Sequence, residues 1–335
     1  WTSVSERRAA DALAARAAEA GVQWQDAAVA GGAGVGAGKV LRSRVLAGDA
    51  PDAAQMVGVT LAEAAGMGLL LELDSVAATE RWPQVLFPEV QSLIGFRGHV
   101  VAAPLGIHRI NTIVWHRGLF ERLRLAPPLD AAAFDRAAAA LQAAGVVPLA
   151  LSSEPWQVAT LFETLVLAEG GPSLHRALFE RRSAAAAADA RVRRAFERLR
   201  VLKALAVRAG KGPAEEPWSA TLQRLQRGEA GMMVMGDWIV GELRQAGWRD
   251  GVEFGCAPAP GSAGAHLYSV DSLAMFARDF GRVREQQQLA RTATSAAVQA
   301  EYNAIKGSAP VRRDLDPARL PPCTRVSWSD FARGA

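Results

Sequence analysis

The segment GGAGVGAGKV, residues 31–40, has the glycine content of a phosphate-binding loop. A Walker loop requires Gly, four residues, and then Gly-Lys followed by Ser or Thr, because that hydroxyl group is a ligand of magnesium. Counting back from Gly38, Ala33 stands where the first glycine belongs. Val40 replaces the hydroxyl residue after Lys39. The spacing therefore predicts no Walker site.

The same segment fits a dinucleotide-binding pattern better. Gly32, Gly34 and Ala37 match G-x-G-x-x-A, and an acid follows at Asp52. In a Rossmann unit that acid ends a second strand, whereas the residues before Asp52 read as one helix and a turn. We therefore favour a strand-to-helix turn that binds nothing. An enzyme that binds a nucleotide through residues 31–40 is the alternative.

The histidines do not show metal-binding spacing. No H-E-x-x-H motif or i, i+4 pair places two imidazoles on one metal. No serine lies in G-x-S-x-G, and neither cysteine lies in a recognisable nucleophile setting. We therefore expect no metal, no cofactor and no catalysis. The five histidines are His99, His108, His116, His175 and His266.

Tryptophan is the residue type that could bind a ligand. There are nine tryptophans against two tyrosines. An indole offers a flat apolar face that matches the C–H face of a pyranose, while nearby carboxylates and amides bond to the hydroxyl groups. Polar neighbours surround Trp1 in WTSVSE, Trp156 in SSEPWQ and Trp238 in MGDW. These contexts indicate a sugar site, although any single indole could be a large core residue.

The elements that must position these residues alternate between helices and strands. Apolar positions at helical spacing predict amphipathic helices over 6–21, 37–48, 130–145 and 282–307. Short apolar stretches bounded by Gly, Pro or Asp predict buried strands over 26–30, 99–106, 111–116, 146–152, 230–236 and 272–277. This alternation predicts an α/β architecture with parallel sheets covered on both faces.

Length and composition limit the function classes. A chain of 335 residues with half of them apolar can bury a large core, and its length favours two domains. The net charge is only +4 and the charges are interspersed, so nucleic acid is not an expected partner. The stretch GMGLLLELDSVA is interrupted by Glu72 and Asp74, so we expect no membrane-spanning helix.

Six blocks of sequence, in their order and separations, resemble one known family. They are similar to the glucose-binding branch of the bacterial extracellular solute-binding proteins that serve ABC sugar importers. The resemblance covers nearly the whole chain and implies that the glycine loop is a tight turn that holds no phosphate. The blocks are residues 31–55, 103–116, 148–163, 228–238, 255–276 and 302–312.

The resemblance implies a fold of two α/β lobes, the type II periplasmic-binding-protein fold. Hinge crossings join the lobes, and the ligand lies in an interlobe cleft that closes over it. The N-terminal lobe is expected to contain residues 1–109 and 263–310. The C-terminal lobe is expected to contain residues 110–262 and 311–335. The crossings then fall in GIHRIN and PAPGSAG.

Family positions also imply ligand-binding roles in the N-terminal lobe. Trp1 and Glu6 match the position where an indole stacks and a carboxylate accepts from sugar hydroxyls. Gln55 matches a glutamine of the cleft. His108 matches a histidine donor at the hinge.

The remaining family positions come from later in the chain. Trp238 matches the stacking platform of the second lobe, and Trp156 is expected to line the cleft. Asp271 and Lys306 match a polar pair that grips hydroxyls through charge-assisted hydrogen bonds.

The two cysteines, Cys256 and Cys323, could be bridged or could be unrelated buried thiols on composition alone. The resemblance implies a disulfide and therefore an oxidising compartment. It also implies an exported periplasmic protein whose signal peptide lies outside this sequence.

The expected function is that of a non-catalytic receptor. It binds a monosaccharide, glucose or a related aldohexose, and delivers it to the membrane permease of an ABC importer. We expect a monomer. A disaccharide or a sugar derivative is the alternative ligand within the same fold.

Overall fold

The computed structural model describes residues 2–29, 35–206, 216–277 and 280–334. Trp1 and the loop glycines Gly32 and Gly34 lie outside these residues. The helices are α1 (Val4–Glu19), α2 (Val35–Leu46), α3 (Gly58–Gly66), α4 (Asp74–Thr79), α5 (Trp82–Val85), α6 (Pro88–Leu93), α7 (Arg117–Arg122), α8 (Ala131–Ala143), α9 (Pro155–His175), α10 (Ala184–Ala187), α11 (Ala190–Leu205), α12 (Trp218–Gln226), α13 (Trp238–Gln245), α14 (Val283–Thr294), α15 (Ala296–Lys306) and α16 (Pro322–Ala332). The strands are β1 (Ala53–Met56), β2 (Gly95–Phe96), β3 (His99–Val100), β4 (Ala103–Arg109), β5 (Thr112–His116), β6 (Val147–Leu149), β7 (Ala230–Met235), β8 (Phe254–Pro258) and β9 (Tyr268–Met275).

Three of the four helices predicted from apolar spacing are confirmed, because α1, α2 and α8 overlap the predicted segments. In α1 the buried residues Ala10, Leu13 and Ala17 form one face, as a 3.6-residue period requires. The predicted helix over 282–307 is instead two helices, α14 and α15. Ser295 separates them with an extended backbone, φ −62° and ψ 149°, and its hydroxyl accepts from the Val298 N–H at the start of α15.

The predicted strand over 26–30 is wrong for its described part. Residues 26–29 have no regular structure, and Ala27 and Ala28 are exposed. Alanine has a low strand propensity, and these side chains bury little surface against a neighbouring strand. Conversely, the sequence patterns missed β1, β2 and β8.

The described strands form three sheets. One sheet has the order β1-β9-β4, a small hairpin pairs β2 with β3, and a four-stranded sheet has the order β6-β7-β5-β8. Of these pairs, β6 and β7 are parallel, whereas β1–β9, β5–β7 and β5–β8 are antiparallel. The prediction of parallel sheets is therefore wrong, and the described sheets are mixed or antiparallel.

The chain divides into two compact units. The first unit contains Trp1–His108 and Ser269–Ala332, and the second contains Arg109–Tyr268 and Arg333–Ala335. The first has a core around Leu73, Trp82, Ile107 and Tyr302, with helix α1 packed on α15. The second has a core around Ile113, Leu141 and Met232, with α8, α9 and α11 packed beside the four-stranded sheet.

The first boundary, between His108 and Arg109, lies in the predicted crossing GIHRIN. The second lies after Tyr268 and thus beyond the predicted crossing PAPGSAG. The side chain of Asn111 explains this shift, because it donates to Ser262 Oγ at 2.9 Å and to the Ala265 carbonyl at 3.0 Å. It therefore binds the 262–265 segment to the second unit.

The segment 311–332 also differs from the predicted lobe assignment, since it belongs to the first unit. Helix α16 carries Trp328 and Phe331, whose rings meet the edge or face of Phe87 at centroid distances of 5.5 and 5.2 Å. The Trp328 indole N–H also donates to the Arg312 carbonyl at 3.0 Å. These aromatic contacts attach the helix to the unit that contains Phe87.

Candidate functional site

The structure describes seven of the eight residues predicted to bind a ligand. Trp1 lies outside the described part of the chain, and the indoles of Trp156 and Trp238 belong to the second unit. Five polar side chains belong to the first unit and form what we call the polar cluster: Glu6, Gln55, His108, Asp271 and Lys306.

Asp271 is the centre of the polar cluster. It lies on β9, which is the middle strand of the three-stranded sheet. Gln55 on β1 donates from Nε2 to Asp271 Oδ2 at 2.6 Å. His108 on β4 places Nε2 at 3.3 Å from the same oxygen. Three strands that are distant in sequence thus bring an amide, a carboxylate and an imidazole together.

Glu6 and Lys306 form the second part of the polar cluster. Glu6 is the third residue of α1, and its Oε2 accepts from the backbone N–H groups of Thr2 and Ser3 at 3.1 and 3.3 Å. This capping box fixes the carboxylate at the helix start. Lys306 ends α15 and donates from Nζ to Glu6 Oε1 at 3.1 Å, before Gly307 turns the chain with φ 92°.

The charges of the polar cluster stabilise its ionised carboxylates. Burial would raise the pKa of Glu6, but the charge of Lys306 and the Thr2 N–H lower it to about 2. Burial likewise opposes ionisation of Asp271, and the nearby His108 and Lys306 lower its pKa. Both groups are therefore carboxylates at neutral pH, able to accept hydrogen bonds from hydroxyl groups.

A buried amide network, which no sequence motif indicated, supports the polar cluster. Gln299 Nε2 donates to the carbonyls of Pro104 and Leu105 at 3.2 and 3.1 Å. Asn303 Nδ2 also donates to Leu105 O, at 3.0 Å. These bonds attach α15, which carries Lys306, to β4, which carries His108. Gln299 and Asn303 are spaced i, i+4 on a predicted helix, and this pattern is too common to indicate such a role.

The second unit contains an indole cluster, which we define as Trp156, Trp218 and Trp238. Each of the three stands at the beginning of a helix and is half-buried. Trp156 lies 6.2 Å from Trp238 with an interplanar angle of 51°, and 6.1 Å from Trp218 with an angle of 82°. The structure thus brings the two predicted indoles together and adds Trp218, which carried no motif.

The MGDW motif places Trp238 by packing and hydrogen bonding. A Cβ atom on Gly236 would lie 2.1 Å from the Trp238 ring, so glycine leaves the room that the indole occupies. The Asp237 carboxylate accepts from the Arg109 N–H at 2.9 Å, and the Asp237 N–H donates to the Arg109 carbonyl. The Trp238 indole N–H points to Met235 Sδ at 3.1 Å.

Glu154 is a further residue of this region, and no sequence motif indicated its role. Its Oε2 accepts from the Trp218 N–H at 2.7 Å, and its own N–H donates to Ser152 Oγ at 2.9 Å. It thereby connects the beginning of α12 to the turn before α9. The indole N–H of Trp156 is buried and has no hydrogen-bond partner among the described residues.

Each of these two sets of side chains, considered within its own unit, suits a polyhydroxylated ligand. The polar cluster offers carboxylate acceptors together with ammonium, amide and imidazole groups. The indoles offer apolar faces of the kind that pack on pyranose C–H groups.

Both cysteines, Cys256 and Cys323, are disulfide-bonded. The disulfide that the resemblance implied is therefore confirmed. Such bonds persist in oxidising compartments outside the cytosol. No helix among the described residues is both long and apolar enough to span a bilayer.

Comparison with known proteins identifies similar sequences. The family model described as bacterial extracellular solute-binding protein matches residues 2–277. A probable sugar-binding periplasmic protein of Brucella suis is 33% identical over 333 residues, which is 98% of this chain and 77% of that protein.

Solved structures confirm the fold. The solute receptor AcbH, described as having an exclusive preference for β-D-galactopyranose, superposes with a TM-score of 0.83 at 18% identity, over 99% of this chain and 84% of its own. RafE of Streptococcus pneumoniae in complex with raffinose superposes with a TM-score of 0.77 at 16% identity, over 99% and 86%. The predicted two-lobe α/β fold of periplasmic binding proteins is thus confirmed.

Proposed function

The chain belongs to the bacterial extracellular solute-binding proteins and is the substrate-binding receptor of an ABC sugar transporter, and we propose that its ligand is a monosaccharide. Glucose or a related aldohexose is the ligand that we assign. Members of this family bind solutes and are not enzymes, which removes the alternative of a nucleotide-binding enzyme.

The convergence of the polar cluster on Asp271 is the observation that carries the proposal. Gln55 and His108 both contact one carboxylate oxygen of Asp271. The charge of Lys306 lowers the pKa of this carboxyl group, and the charge of Glu6 raises it. A monosaccharide presents several hydroxyl groups around one ring, and each can donate to a carboxylate or accept from an ammonium or amide group. We propose that this compact set binds the hydroxyl edge of one ring.

The orientation of the indoles supports one ring rather than several. Successive rings of an oligosaccharide need apolar platforms that follow one another along a surface. The rings of Trp156 and Trp218 are nearly perpendicular, at 82°, and those of Trp156 and Trp238 are inclined at 51°. We propose that Trp238 stacks on the single sugar ring and that Trp156 borders it. The full set proposed to bind the ligand is Trp1, Glu6, Gln55, His108, Trp156, Trp238, Asp271 and Lys306.

The family also supports the place of action and the partner. The similar Brucella protein is named as periplasmic, which supports a periplasmic or extracellular location for this chain. We propose that the chain is exported with a signal peptide, acts as a monomer and passes the sugar to a membrane permease. Nucleic acid is not a proposed partner.

A sugar panel measured by thermal shift and then by isothermal titration calorimetry tests the proposal. The panel contains glucose, galactose, mannose, xylose, maltose and raffinose, with NAD and ATP as negative controls. We expect a rise in Tm with one or more aldohexoses, a stoichiometry of one sugar per chain, and no response to either nucleotide.

Two outcomes would contradict the assignment. Tighter binding of maltose or raffinose than of every aldohexose would favour the disaccharide alternative. Aldohexose binding that is unchanged in both Asp271→Asn and Trp238→Ala would place the ligand elsewhere.

A further inference from the structure

A second group of ligating side chains lies in the first unit, outside the polar cluster. Glu72, Asp74 and His99 each offer one ligand atom, and these atoms all lie within 4.8 Å of one another. His99 Nδ1 is 2.7 Å from Asp74 Oδ2 and 3.5 Å from Glu72 Oε2. Two carboxylates therefore face one imidazole nitrogen.

The backbone on both sides of this group is held in place. The Leu73 N–H donates to the Val100 carbonyl at 2.7 Å, and the Val100 N–H donates to Asp74 Oδ1 at 2.8 Å. Leu73, which lies between Glu72 and Asp74 in the sequence, is completely buried. One oxygen of Asp74 is thus bound to the backbone, which leaves the other turned toward His99.

The local charges favour a cation. Glu72 and Asp74 place two carboxylate charges beside one imidazole. A divalent ion would neutralise both.

We propose that Glu72, Asp74 and His99 bind a divalent transition-metal ion, with Zn²⁺ as the best match. One imidazole nitrogen with two carboxylate oxygens suits zinc, whereas calcium and magnesium prefer oxygen ligands alone. Bonds of about 2.0–2.2 Å place ligand atoms roughly 3–3.5 Å apart around such an ion. The 3.5 Å between His99 Nδ1 and Glu72 Oε2 already fits this range. The 2.7 Å between His99 Nδ1 and Asp74 Oδ2 is shorter, and a small rotation of these exposed side chains widens it.

The sequence showed no metal motif because these ligands come from two distant segments. His99 begins β3, and Glu72 and Asp74 lie 25 or more residues earlier, at and just before the start of α4. The β2–β3 hairpin brings them together. This inference does not depend on the proposed sugar site.

Calorimetric titration of the tag-free, metal-stripped protein with zinc chloride at pH 7.5 tests this site. We expect one zinc ion per chain and a rise in Tm with zinc, because the ion binds ligands assembled in the folded state. His99→Ala and Glu72→Gln should each weaken zinc binding by about tenfold or more, since each removes one ligand. Magnesium chloride should give no comparable binding.

His175→Gln is the matched control. His175 Nε2 lies 3.8 Å from the carboxylate of Glu163, and this pair belongs to no group of three potential metal ligands among the described residues. This variant should bind zinc as the parent protein does. Absence of zinc binding in the parent, or unchanged binding in His99→Ala, would overturn the inference. Sugar affinity measured in the same variants should stay unchanged, which separates failure of this site from failure of the sugar assignment.

Discussion

Gln55 and Asp271 are joined by a 2.6 Å hydrogen bond between neighbouring antiparallel strands. Gln55 stands opposite Leu273 in the register, so Asp271 is its diagonal neighbour two residues along β9. Opposite and diagonal residues share one face of a sheet. The register therefore points the amide and the carboxylate to the same side, and the bond fixes which oxygen of Asp271 is shared.

Asp271→Asn should weaken sugar binding by about tenfold or more. The change replaces a charged acceptor with an amide, and charge-assisted bonds contribute about 1.5–3 kcal/mol. It also allows two NH₂ groups to face each other at Gln55. Isothermal titration calorimetry with the sugar identified in the panel measures the effect.

The reciprocal double variant refines this test. Gln55→Glu combined with Asp271→Asn exchanges the acceptor and the donor, so it should recover part of the lost affinity. Asp11→Asn is the control, because Asp11 is an exposed carboxylate paired with Arg7 on α1. Equal affinities for Asp271→Asn and Asp11→Asn would remove Asp271 from the site.

Trp238→Ala should weaken sugar binding by at least about tenfold while the protein stays folded. The indole is half-buried at the beginning of α13, so its loss removes stacking area more than core packing. Trp238→Phe keeps an aromatic face and should retain most of the affinity. Trp248→Phe alters an indole that packs on His116 and Phe254, and it should leave binding unchanged. Calorimetry and far-UV circular dichroism measure binding and folding separately.

Local patterns predicted much of the fold. The helices α1, α2 and α8 follow from apolar spacing, which depends on one face of one segment. The MGDW motif indicated Trp238 as a candidate ligand-binding residue. Gly236 of the same motif leaves the space that the Trp238 ring occupies. The predictions that failed are those that depend on which strands pair with each other. Strand direction depends on which segment pairs with which, so apolar composition could not reveal that β5 pairs antiparallel with both β7 and β8.

The polar cluster shows the same limit. Family resemblance gave the residue identities, but nothing in their spacing showed that Asp271 binds both Gln55 and His108. Those contacts need the strand order β1-β9-β4. The break at Ser295 was also hidden, because apolar spacing continues through it while the serine caps the next helix.

Acid should weaken the Glu6–Lys306 pair and lower stability. The pKa of Glu6 is lowered from 4.5 to about 2, so the folded state binds its proton less readily than the unfolded state does. Its contribution is complete above about pH 4.5 and disappears as the pH falls toward 2. Tm measured from pH 6 to pH 2.5 should therefore decrease less in Glu6→Gln than in the parent protein. Parallel curves would show that this carboxylate is not stabilised by folding.

His266 should also make the stability of the protein sensitive to acid, at a higher pH than Glu6 does. Burial and the charge of Arg109 lower the pKa of His266 to about 2, so the folded protein holds it neutral. The unfolded chain takes up a proton below about pH 6.5. Stability should therefore fall by roughly 1.4 kcal/mol per pH unit below that value from this residue. Urea unfolding at pH 7 and pH 5.5 should show a smaller loss in His266→Gln, and an equal loss would contradict the assignment.

Gly106→Ala should destabilise the protein through the amide network. A Cβ atom at Gly106 on β4 would lie 2.3 Å from Asn303 Oδ1 and 2.8 Å from Ser308 Oγ. Displacing these buried groups should cost about 1–3 kcal/mol of unfolding free energy. Gly38→Ala is the matched control, because Gly38 lies in α2 and nothing approaches its Cβ position, so it should stabilise by about 0.5–1 kcal/mol. Urea unfolding measures both signs, and a Gly106→Ala protein as stable as its parent would show that the network yields to the added methyl group.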